Sequence, residues 1–368
     1  RVVDDPGIAV VIESMGGIEP ALGLILDALA TGKDVVTANK ALLAEHGPEV
    51  FAQARKYNRA VAFEASVGGG IPIVQALATA LAANQIQSLS AIVNGTCNFI
   101  LSSMTSEGLA YATALRQAQE LGYAEADPAM DVDGTDTAHK LAILAQLAFG
   151  AGVTTAQIRR AGIDRLELAD IRFAAEMGYN VKLLALARHS DAGLELRVAP
   201  TLVKQGTPLA EVRGPYNAIR VVGDAVGDTL FYGRGAGMMP TASAVVGDLI
   251  DVLIGRAALT SRVLNLWSAD APPPRLAPAS ASKSRNYLRF MIADRPGVLA
   301  AIAKVLGEHG ISIASVIQHD PGDDAPDSPV PLVIMTHAAA ESATSAALAG
   351  IDRMDVVRAA SVCLGVEE

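Results

Sequence analysis

The sequence predicts an α/β protein with three parts: a doubly wound parallel sheet, an α+β domain and a small C-terminal module. The chain has 368 residues, which is more than one domain usually holds. Hydrophobic residues make up 51% of it and aromatic residues only 4%, so the cores must consist of Ala, Val, Leu and Ile, as in sheets covered by helices. Short apolar runs also alternate with amphipathic helices along the first part of the chain.

The first part comprises residues 1–62 and 236–268. The apolar runs IAVVIE, DVVTAN and AVAFEASV predict strands, and EPALGLILDALATG and EVFAQARKYN between them predict helices. Gly32 follows the first helix as a C-terminal capping glycine does. This βαβαβ order predicts a parallel sheet of the Rossmann type, and the later helix SAVVGDLIDVLIGRAAL is placed to return to its outer face.

The second part, residues 63–235, combines longer helices with strands. PIVQALATALAANQ, ATALRQAQELG and DTAHKLAILAQLAFG predict helices, and LELRVAPTLV and NAIRVVG predict strands. No charged residue lies between Glu64 and Glu107, but Gly, Asn, Gln, Ser and Pro interrupt this stretch throughout. We therefore predict a protein-buried segment of an α+β domain rather than a membrane span.

The third part follows a predicted linker, residues 269–284, which contains Pro272 to Pro274 and is rich in Ala and Ser. Residues 285–368 then give the pattern strand (NYLRFMI), helix (VLAAIAKVLGEHG), strand (ISIASVIQ), strand (PLVIMT), helix (ESATSAALAG) and strand (VVRAASVCLG). This βαββαβ order is typical of a ferredoxin-like fold and predicts a separate module.

The charge and cysteine content exclude several classes of protein. The formal net charge is −10, and no basic cluster is longer than the pair Arg159 and Arg160, so the chain lacks the basic surface that nucleic-acid binding requires. The two cysteines, Cys97 and Cys363, lie far apart and without ligands at zinc spacing. This argues against a disulfide framework and fits a reducing cytoplasm. The chain begins at Arg1 without Met, so we expect its natural N-terminus to lie upstream.

The most informative segment is GYAEADPAMDVDGTDTAHKLAILAQLAFG, in which five acidic residues precede a lysine on a helix. Asp136 and Lys140 are four residues apart and share a helix face. Such a lysine can protonate a carbonyl oxygen as hydride arrives, and the carboxylates can hold a substrate ammonium group. On residue types alone, a solvated helix start with a surface ion pair is favoured. A calcium-binding EF-hand loop is not favoured, because such a loop needs glycine at its sixth position and Gly134 is at the fourth position counted from Asp131.

The part GYAEADPAMDVDGTDTAHK resembles the signature of homoserine dehydrogenases. The resemblance implies an NAD(P)-dependent enzyme that interconverts homoserine and aspartate semialdehyde in the biosynthesis of threonine, methionine and isoleucine. It implies that Lys140 is the acid/base and that Glu125 and Asp136 bind the substrate. By the same comparison His139 is structural, and residues 63–235 form the substrate-binding, catalytic and dimerisation domain.

Two further segments match the same family. In GKDVVTANKALLAEHG, Lys40 opens a helix directly after a strand, at the edge of the sheet where ligands bind in such folds. The resemblance implies that Lys40 contacts cofactor and substrate. NGTCNFILSSM would otherwise be only an N-capped buried helix. The resemblance implies that Asn94, Gly95 and Thr96 line the substrate pocket.

Two glycine-rich segments also match. EASVGGGIPIVQAL places three glycines before a helix, which by itself indicates only a tight turn or an anion site. The resemblance implies a structural sodium ion with ligands from Glu64, Val67, Gly69 and Ile71. YGRGAGMMPTASAVVGD carries the turn whose Gly235 and Gly237 would contact the dinucleotide.

The dinucleotide fingerprint G-x-G-x-x-G follows no strand of this sequence, and here the chain departs from the family. We expect the first strand and the phosphate loop upstream of Arg1. The choice between NADP(H) and NAD(H) stays open, because the segment that distinguishes them is expected in the same place.

The C-terminal segment YLRFMIADRPGVLAAIAKVLGEHGISIASVIQH resembles an ACT domain. The resemblance implies that a free amino acid binds at a dimer interface near the turn Asp294–Gly297, with threonine as the expected effector and a homodimer or homotetramer as the expected assembly. A module that only dimerises is the alternative.

Two other functions are alternatives to the dehydrogenase. The first is another amino-acid oxidoreductase on the same scaffold, which would not turn over homoserine. The second is a catalytically silent amino-acid sensor, which would require substitutions at Glu125, Asp136, Lys140 or Lys40. The sequence has none.

Overall fold

The computed structural model of the chain describes residues 2–268, 270, 272, 274–278, 280–319 and 329–367. The first unit has a parallel three-stranded sheet in the order β1-β2-β3. Its elements are β1 (Val10–Glu13), α1 (Ala21–Ala30), β2 (Asp34–Thr37), α2 (Lys40–Tyr57) and β3 (Val61–Ala62). The predicted βαβαβ order is confirmed, and α2 begins at Lys40 because the Asn39 side chain caps it by accepting a bond from the Leu42 amide.

The second unit follows Ala62 and is richer in strands than the sequence predicted. Its elements are α3 (Ile73–Gln75), a π-helical turn (Ala76–Ala80), β4 (Ile86–Ile92), α4 (Gly95–Glu107), α5 (Tyr111–Glu120), α6 (Ala129–Val132), α7 (Thr135–Phe149), β5 (Arg159–Arg160), α8 (Leu168–Glu176), β6 (Tyr179–Ser190), β7 (Gly193–Lys204), β8 (Tyr216–Gly223) and β9 (Gly227–Arg234). Helices α4 and α7 pack against the sheet, and α2 of the first unit packs on α7. This last contact brings the start of α2 close to the start of α7.

Two helices then return to the first unit, α9 (Met238–Leu253) and α10 (Arg256–Leu264). Helix α9 contacts β2 and β3, and its Val252 is buried with Val36 and Ala62 of that sheet. The predicted return of this helix to the first sheet is therefore observed. Across the described part of the chain, no helix is long and apolar enough to cross a membrane.

The C-terminal unit has the predicted βαββαβ order. Its elements are β10 (Lys283–Ser284), β11 (Asn286–Ile292), α11 (Val298–Glu308), β12 (Ile313–Gln318), β13 (Val330–Thr336), β14 (Ala339–Ala340), α12 (Glu341–Ile351) and β15 (Val362–Glu367). The strands pair in the order β12-β13-β11-β15, as in a ferredoxin-like sheet, and α11 and α12 enclose a separate small core on one face.

This unit is less separate than the sequence predicted. Strand β15 pairs in parallel with β7, so that the sheets of the second and third units form one continuous ten-stranded sheet. The face of β11 opposite its helices also joins the main core through Tyr287. Pairing with β7 satisfies the backbone groups that β15 would otherwise expose at an edge.

The predicted linker is only partly described. Positions 269, 271, 273 and 279, including the middle proline of the Pro272–Pro274 run, lie outside the described residues. Arg275 and Ala277 exchange backbone hydrogen bonds with Leu194 of β7, and the end of the predicted linker forms β10. The segment therefore follows the surface of the second unit, and the domain boundaries stay predictions.

Candidate active site

A carboxylate and two lysines form the centre of the candidate site. Asp136 lies in the first turn of α7, where its Oδ2 is 2.7 Å from Lys140 Nζ and its Oδ1 is 3.1 Å from Lys40 Nζ. Asn94 Nδ2 donates a third bond to Oδ2 at 2.9 Å. Asp136 therefore accepts from three groups that come from three different elements.

Lys140 is not a surface residue. Its side chain is 12% exposed and that of Asp136 is 8% exposed. Lys140 Nζ also donates to the Val93 carbonyl at 2.6 Å, just after β4 ends. A solvated ion pair, which residue types alone favoured, does not describe this arrangement, because both charges are largely removed from water.

The two central carboxyl groups differ in their electrostatic surroundings. Burial raises the pKa of Asp136, but the charges of Lys140 and Lys40 outweigh burial and hold this pKa below its usual range. Burial raises the pKa of Asp131, and the charge of Asp136 adds to the effect, while a 2.8 Å bond from Asn94 Nδ2 partly offsets it. Asp136 is therefore the carboxylate that stays ionised next to the lysines.

The first turn of α4 forms one wall of the site. Asn94 caps this helix by accepting from the Cys97 amide at 2.8 Å. Gly95 has no room for a side chain, because a Cβ there would lie 2.8 Å from the Pro215 carbonyl oxygen. Thr96 Oγ1 donates to the Tyr123 carbonyl at 2.6 Å, which holds the start of the acidic segment against α4.

Cys97 is buried in the same turn, and its Sγ donates to the Asp131 carbonyl at 3.2 Å. Burial raises the pKa of this thiol well above its ordinary value, with the neighbouring carboxylates adding to the effect. The thiol therefore stays protonated and does not provide a nucleophile.

Lys40 joins the cluster from the first unit, as the first residue of α2. A cation at a helix N-terminus is electrostatically disfavoured, and here the Asp136 carboxylate compensates for it. The Lys40 side chain is 40% exposed, so its ammonium group faces both the carboxylate and solvent.

Other acidic residues of the segment remain outside the cluster. Glu125 is exposed, and its backbone carbonyl accepts a hydrogen bond from Gln119 Nε2. Asp127 is also exposed, and it caps the Ala129 amide. Asp133 bonds to Thr135. The structure thus brings Asp136, Lys140, Lys40 and Asn94 together but leaves Glu125 outside the cluster.

His139 is buried on α7 one residue before Lys140. Its Nδ1 has no hydrogen-bond partner among the described residues, and burial lowers its pKa. The structural role of His139 that the resemblance implies stays a prediction.

The two predicted glycine turns pack on each other. The Gly70 amide donates to the Arg234 carbonyl at 3.0 Å, and a Cβ on Gly69 would lie 2.5 Å from the Gly235 carbonyl oxygen. A Cβ on Gly235 would in turn lie 1.8 Å from Asn217 Nδ2. Gly237 has φ of +121° and directly precedes α9. Gly69 requires glycine because two backbones approach closely there, Gly235 because the Asn217 side chain fills the space, and Gly237 because of its positive φ.

Glu64 lies beside these turns and is buried. Its carboxylate accepts from the Val74 and Gln75 amides at 2.9 and 2.8 Å, which satisfies the N-terminus of α3. Burial raises the pKa of Glu64, although these two amides lower it. Within the ranges that the structure describes, no group of three or more His, Cys, Asp and Glu side chains is arranged to hold a metal ion.

Sequence reasoning missed a second polar network at the carboxyl ends of β1 and β2. Glu13 is buried, and its carboxylate accepts from Thr37 Oγ1 at 2.6 Å and from the Met15 amide at 2.7 Å. Asn39 Nδ2 donates to the Gly17 carbonyl at 2.6 Å. The sequence carries a local signal for this network, an acidic residue at a strand end followed by Gly-Gly, although the segment does not form a G-x-G-x-x-G motif.

Comparison with known proteins identifies three matching family models. Residues 1–64 match the homoserine dehydrogenase NAD-binding domain, residues 72–250 match homoserine dehydrogenase, and residues 286–351 match the ACT domain. A homoserine dehydrogenase from Pseudomonas aeruginosa is 46% identical over 370 residues, which cover 99% of this chain and 84% of that protein.

Solved structures agree with these matches. The crystal structure of a homoserine dehydrogenase from Thiobacillus denitrificans has a TM-score of 0.91 at 44% identity and covers 100% of this chain and 84% of its own. A hyperthermophilic archaeal homoserine dehydrogenase in complex with NADPH has a TM-score of 0.57 at 29% identity, over 67% of this chain and 71% of its own.

Proposed function

Because this chain belongs to the homoserine dehydrogenase family, we propose that Lys140 exchanges a proton with the substrate oxygen. A nicotinamide held at the site would supply or take up the hydride. The observation that carries the proposal is the buried cluster of Lys140, Asp136 and Lys40. Its ammonium groups would provide the oxygen of homoserine or aspartate semialdehyde with a proton donor and a positive charge.

Each residue of the cluster has a distinct proposed role. Asp136 stays ionised and holds Lys140 in a fixed position through its 2.7 Å contact. Lys40, which is more exposed, contacts both substrate and cofactor. Asn94 orients Asp136 through its side-chain amide. The carboxylate thus keeps Lys140 in place through successive cycles of proton release and uptake.

We propose that Glu125 and the first turn of α4 bind the amino-acid end of the substrate. Glu125 is exposed, so its carboxylate can meet a substrate ammonium group. The bond from Thr96 to the Tyr123 carbonyl supports this proposal, because it ties the segment carrying Glu125 to the wall formed by Asn94 and Gly95.

The residues fit a dinucleotide of the NAD(P) class. The turn at Gly235 and Gly237 lies directly before α9, and Lys40 stands at the carboxyl edge of β2. We propose that these three residues hold the cofactor, and that the buried Glu13 network supports the same edge from below.

We propose that a sodium ion binds at the turn beside them. Glu64 and the carbonyls of Val67, Gly69 and Ile71 provide oxygen donors, which suit a hard cation. The Glu64 carboxylate already accepts two amide bonds, so the carbonyl oxygens would supply most of the coordination. The ion would stiffen the turn that packs on Gly235.

We propose that the ACT domain senses threonine at the turn Asp294–Gly297. Gly297 has φ of +92°, and Asp294 accepts a bond from Gln318 Nε2 at 3.1 Å, so the turn is held against the end of β12. Threonine titrated into the protein by calorimetry should bind in the wild type and bind much more weakly to Asp294→Ala. Equal binding would rule out this site.

We also propose that the enzyme is a cytoplasmic homodimer or homotetramer. Both of its cysteines are free, which suits a reducing compartment, and ACT domains commonly pair. Light scattering on the purified protein tests the assembly, and a monomeric mass would refute it.

The decisive test of the catalytic proposal is Lys140→Ala. We expect kcat with homoserine to fall by about 100-fold or more, because general acid–base catalysis typically contributes that much. Dinucleotide binding, followed by fluorescence, should change little. A kcat near that of the wild type would contradict the role of Lys140.

A further inference from the structure

A second buried polar cluster lies behind the first turn of α4, outside the acid–lysine cluster. Lys182, on β6, is 4% exposed, and Asn98, on α4, is 1% exposed. Lys182 Nζ donates to Asn98 Oδ1 at 3.1 Å and to the Val212 carbonyl. The backbone amide of Asn98 donates to the Asn94 carbonyl at 3.1 Å, which joins this cluster to the one around Asp136. The catalytic proposal does not use the side chains of Lys182 and Asn98.

Asn98 connects this lysine to an irregular segment of the chain. Its Nδ2 lies 3.2, 2.9 and 3.1 Å from the carbonyl oxygens of Val212, Gly214 and Tyr216. Most of this segment is neither helix nor strand, so its buried carbonyls need side-chain donors. The Asn98 amide and the Lys182 ammonium group thus meet the carbonyls of Val212, Gly214 and Tyr216, and Ser102 Oγ accepts from the Gly214 amide at 3.1 Å.

The segment stands between the two halves of the candidate site. On one side, the Pro215 carbonyl closes directly on Gly95 at the start of α4. On the other side, Asn217 closes on Gly235 in the glycine turn. A shift of residues 212–217 would therefore displace both the proposed substrate wall and the proposed cofactor turn.

Packing alone does not account for a lysine at this position. Among the described residues no carboxylate contacts its ammonium group. Burial lowers the pKa of Lys182 to about 8, with nearby Glu211 raising it and Arg213 lowering it further. An apolar side chain of the same volume would fill the space at lower cost. What the lysine adds is a fixed direction for its hydrogen bonds, which is the property a positioning residue needs.

We propose that Lys182 and Asn98 are positioning residues, which fix residues 212–216 so that α4 and the turn at Gly235 keep the separation that the reaction requires. The proposal rests on the proposed roles of Asn94 and Gly235. It assigns the two residues no contact with substrate, cofactor or the reacting atoms.

Two substitutions at Lys182 separate hydrogen bonding from packing. Lys182→Met keeps the volume and removes the donors, whereas Lys182→Gln keeps two donors and removes the charge. We expect KM for homoserine to rise about tenfold or more in Lys182→Met, because small displacements in an active site have effects of this size. Lys182→Gln should stay within about threefold of the wild type. The exposed Lys204→Met on neighbouring β7 is the matched control and should change nothing.

Hydrogen exchange provides a readout that does not depend on turnover. The backbone amide hydrogens of residues 94–101 should exchange faster in Lys182→Met than in the wild type. In Lys182→Gln their exchange rate should return to that of the wild type. A lower melting temperature in Lys182→Met with unchanged KM, kcat and exchange would overturn the proposal and leave a purely structural role.

If Lys182→Met does not fold, Asn98→Ser carries the same test. It keeps a hydroxyl for Lys182 and loses most of the bonds to the segment, so KM and exchange should again rise, and unchanged values would overturn the proposal. Failure of the catalytic proposal looks different, because Lys140→Ala would then keep its activity while the Lys182 variants behave as expected.

Discussion

Replacing Asp136 by Asn tests whether a single buried carboxylate holds the site together. The substitution keeps the size of the side chain and removes the charge between two ammonium groups at 2.7 and 3.1 Å. At an effective dielectric constant of about 20, these distances correspond to roughly 6 and 5 kcal/mol of attraction before desolvation is subtracted.

Desolvation and screening reduce this attraction. The Lys40 side chain is 40% exposed, so its share falls to the scale of a surface ion pair, at most about 1 kcal/mol. The pair with Lys140 is largely buried, and removing one partner of a buried pair typically costs about 3–5 kcal/mol. We expect Asp136→Asn to lower the free energy of unfolding by about that amount.

The pH dependence of this loss follows from the depressed pKa of Asp136. A carboxyl group whose pKa is lower in the folded state contributes stability that is fully present above its unfolded pKa, about 3.9, and is lost as pH falls through the folded value. The difference between wild type and variant should therefore be constant from pH 8 to 5 and narrow only below about pH 4.

Urea unfolding followed by circular dichroism measures both quantities. Asp127→Asn is the matched control, since Asp127 is an exposed acid of the same segment and Asn can keep its capping bond to Ala129. The control should stay within about 0.5 kcal/mol of the wild type. If Asp136→Asn also stays in that range, or if its deficit already shrinks between pH 7 and 5, the electrostatic reasoning is wrong.

Three further predictions concern the supporting structure. Gly235→Ala should lower the free energy of unfolding by about 1–3 kcal/mol and weaken dinucleotide binding, because its Cβ would meet Asn217. The control Gly247→Ala, on α9, has open space for its Cβ and should raise the free energy of unfolding by about 1 kcal/mol. Thermal melts of both variants measure these changes. Replacing sodium by choline should lower the melting temperature of the wild type, and an unchanged value would argue against the proposed ion. Arg289→Met should lower the free energy of unfolding in urea by about 3–5 kcal/mol, because it leaves the buried Asp170 without its charge partner. A decrease below about 1 kcal/mol would contradict this prediction.

Local patterns predicted much of the fold. The βαβαβ and βαββαβ orders follow from the period and length of the apolar runs, which are local properties of the chain. The start of α2 at Lys40 follows from the capping Asn39, and the shared face of Asp136 and Lys140 follows from helix geometry. These predictions succeeded because each depends on neighbouring residues only.

Long-range contacts could not be predicted in the same way. The pairing of β15 with β7 joins strands that are distant in sequence, and neither strand carries a local signal for the other. The contact between Lys40 and Asp136 depends on α2 packing on α7. Burial is also non-local, and it is what separates the buried Lys140 pair from an ordinary surface pair.

The resemblance to a family reached further than the local patterns, but less far than the geometry. It pointed to Lys140, Lys40 and Asp136 without a physical reason for their proximity, and it did not indicate Lys182 or Asn98. A lysine in the strand YNVKLLALARHS would be expected to point to solvent. Only the position of residues 212–216 explains why that lysine is buried.

The Asp136 carboxylate also connects two units of the fold. Lys140 and Asn94 come from the second unit and Lys40 from the first, so the charge balance of the site is complete only when α2 is packed on α7. A movement that separates these helices would leave Asp136 with one lysine instead of two. A ligand that contacts both Lys40 and residues of the second unit would bind the packed arrangement better and would therefore favour it. On this argument, dinucleotide affinity and the stability of the α2–α7 contact rise and fall together.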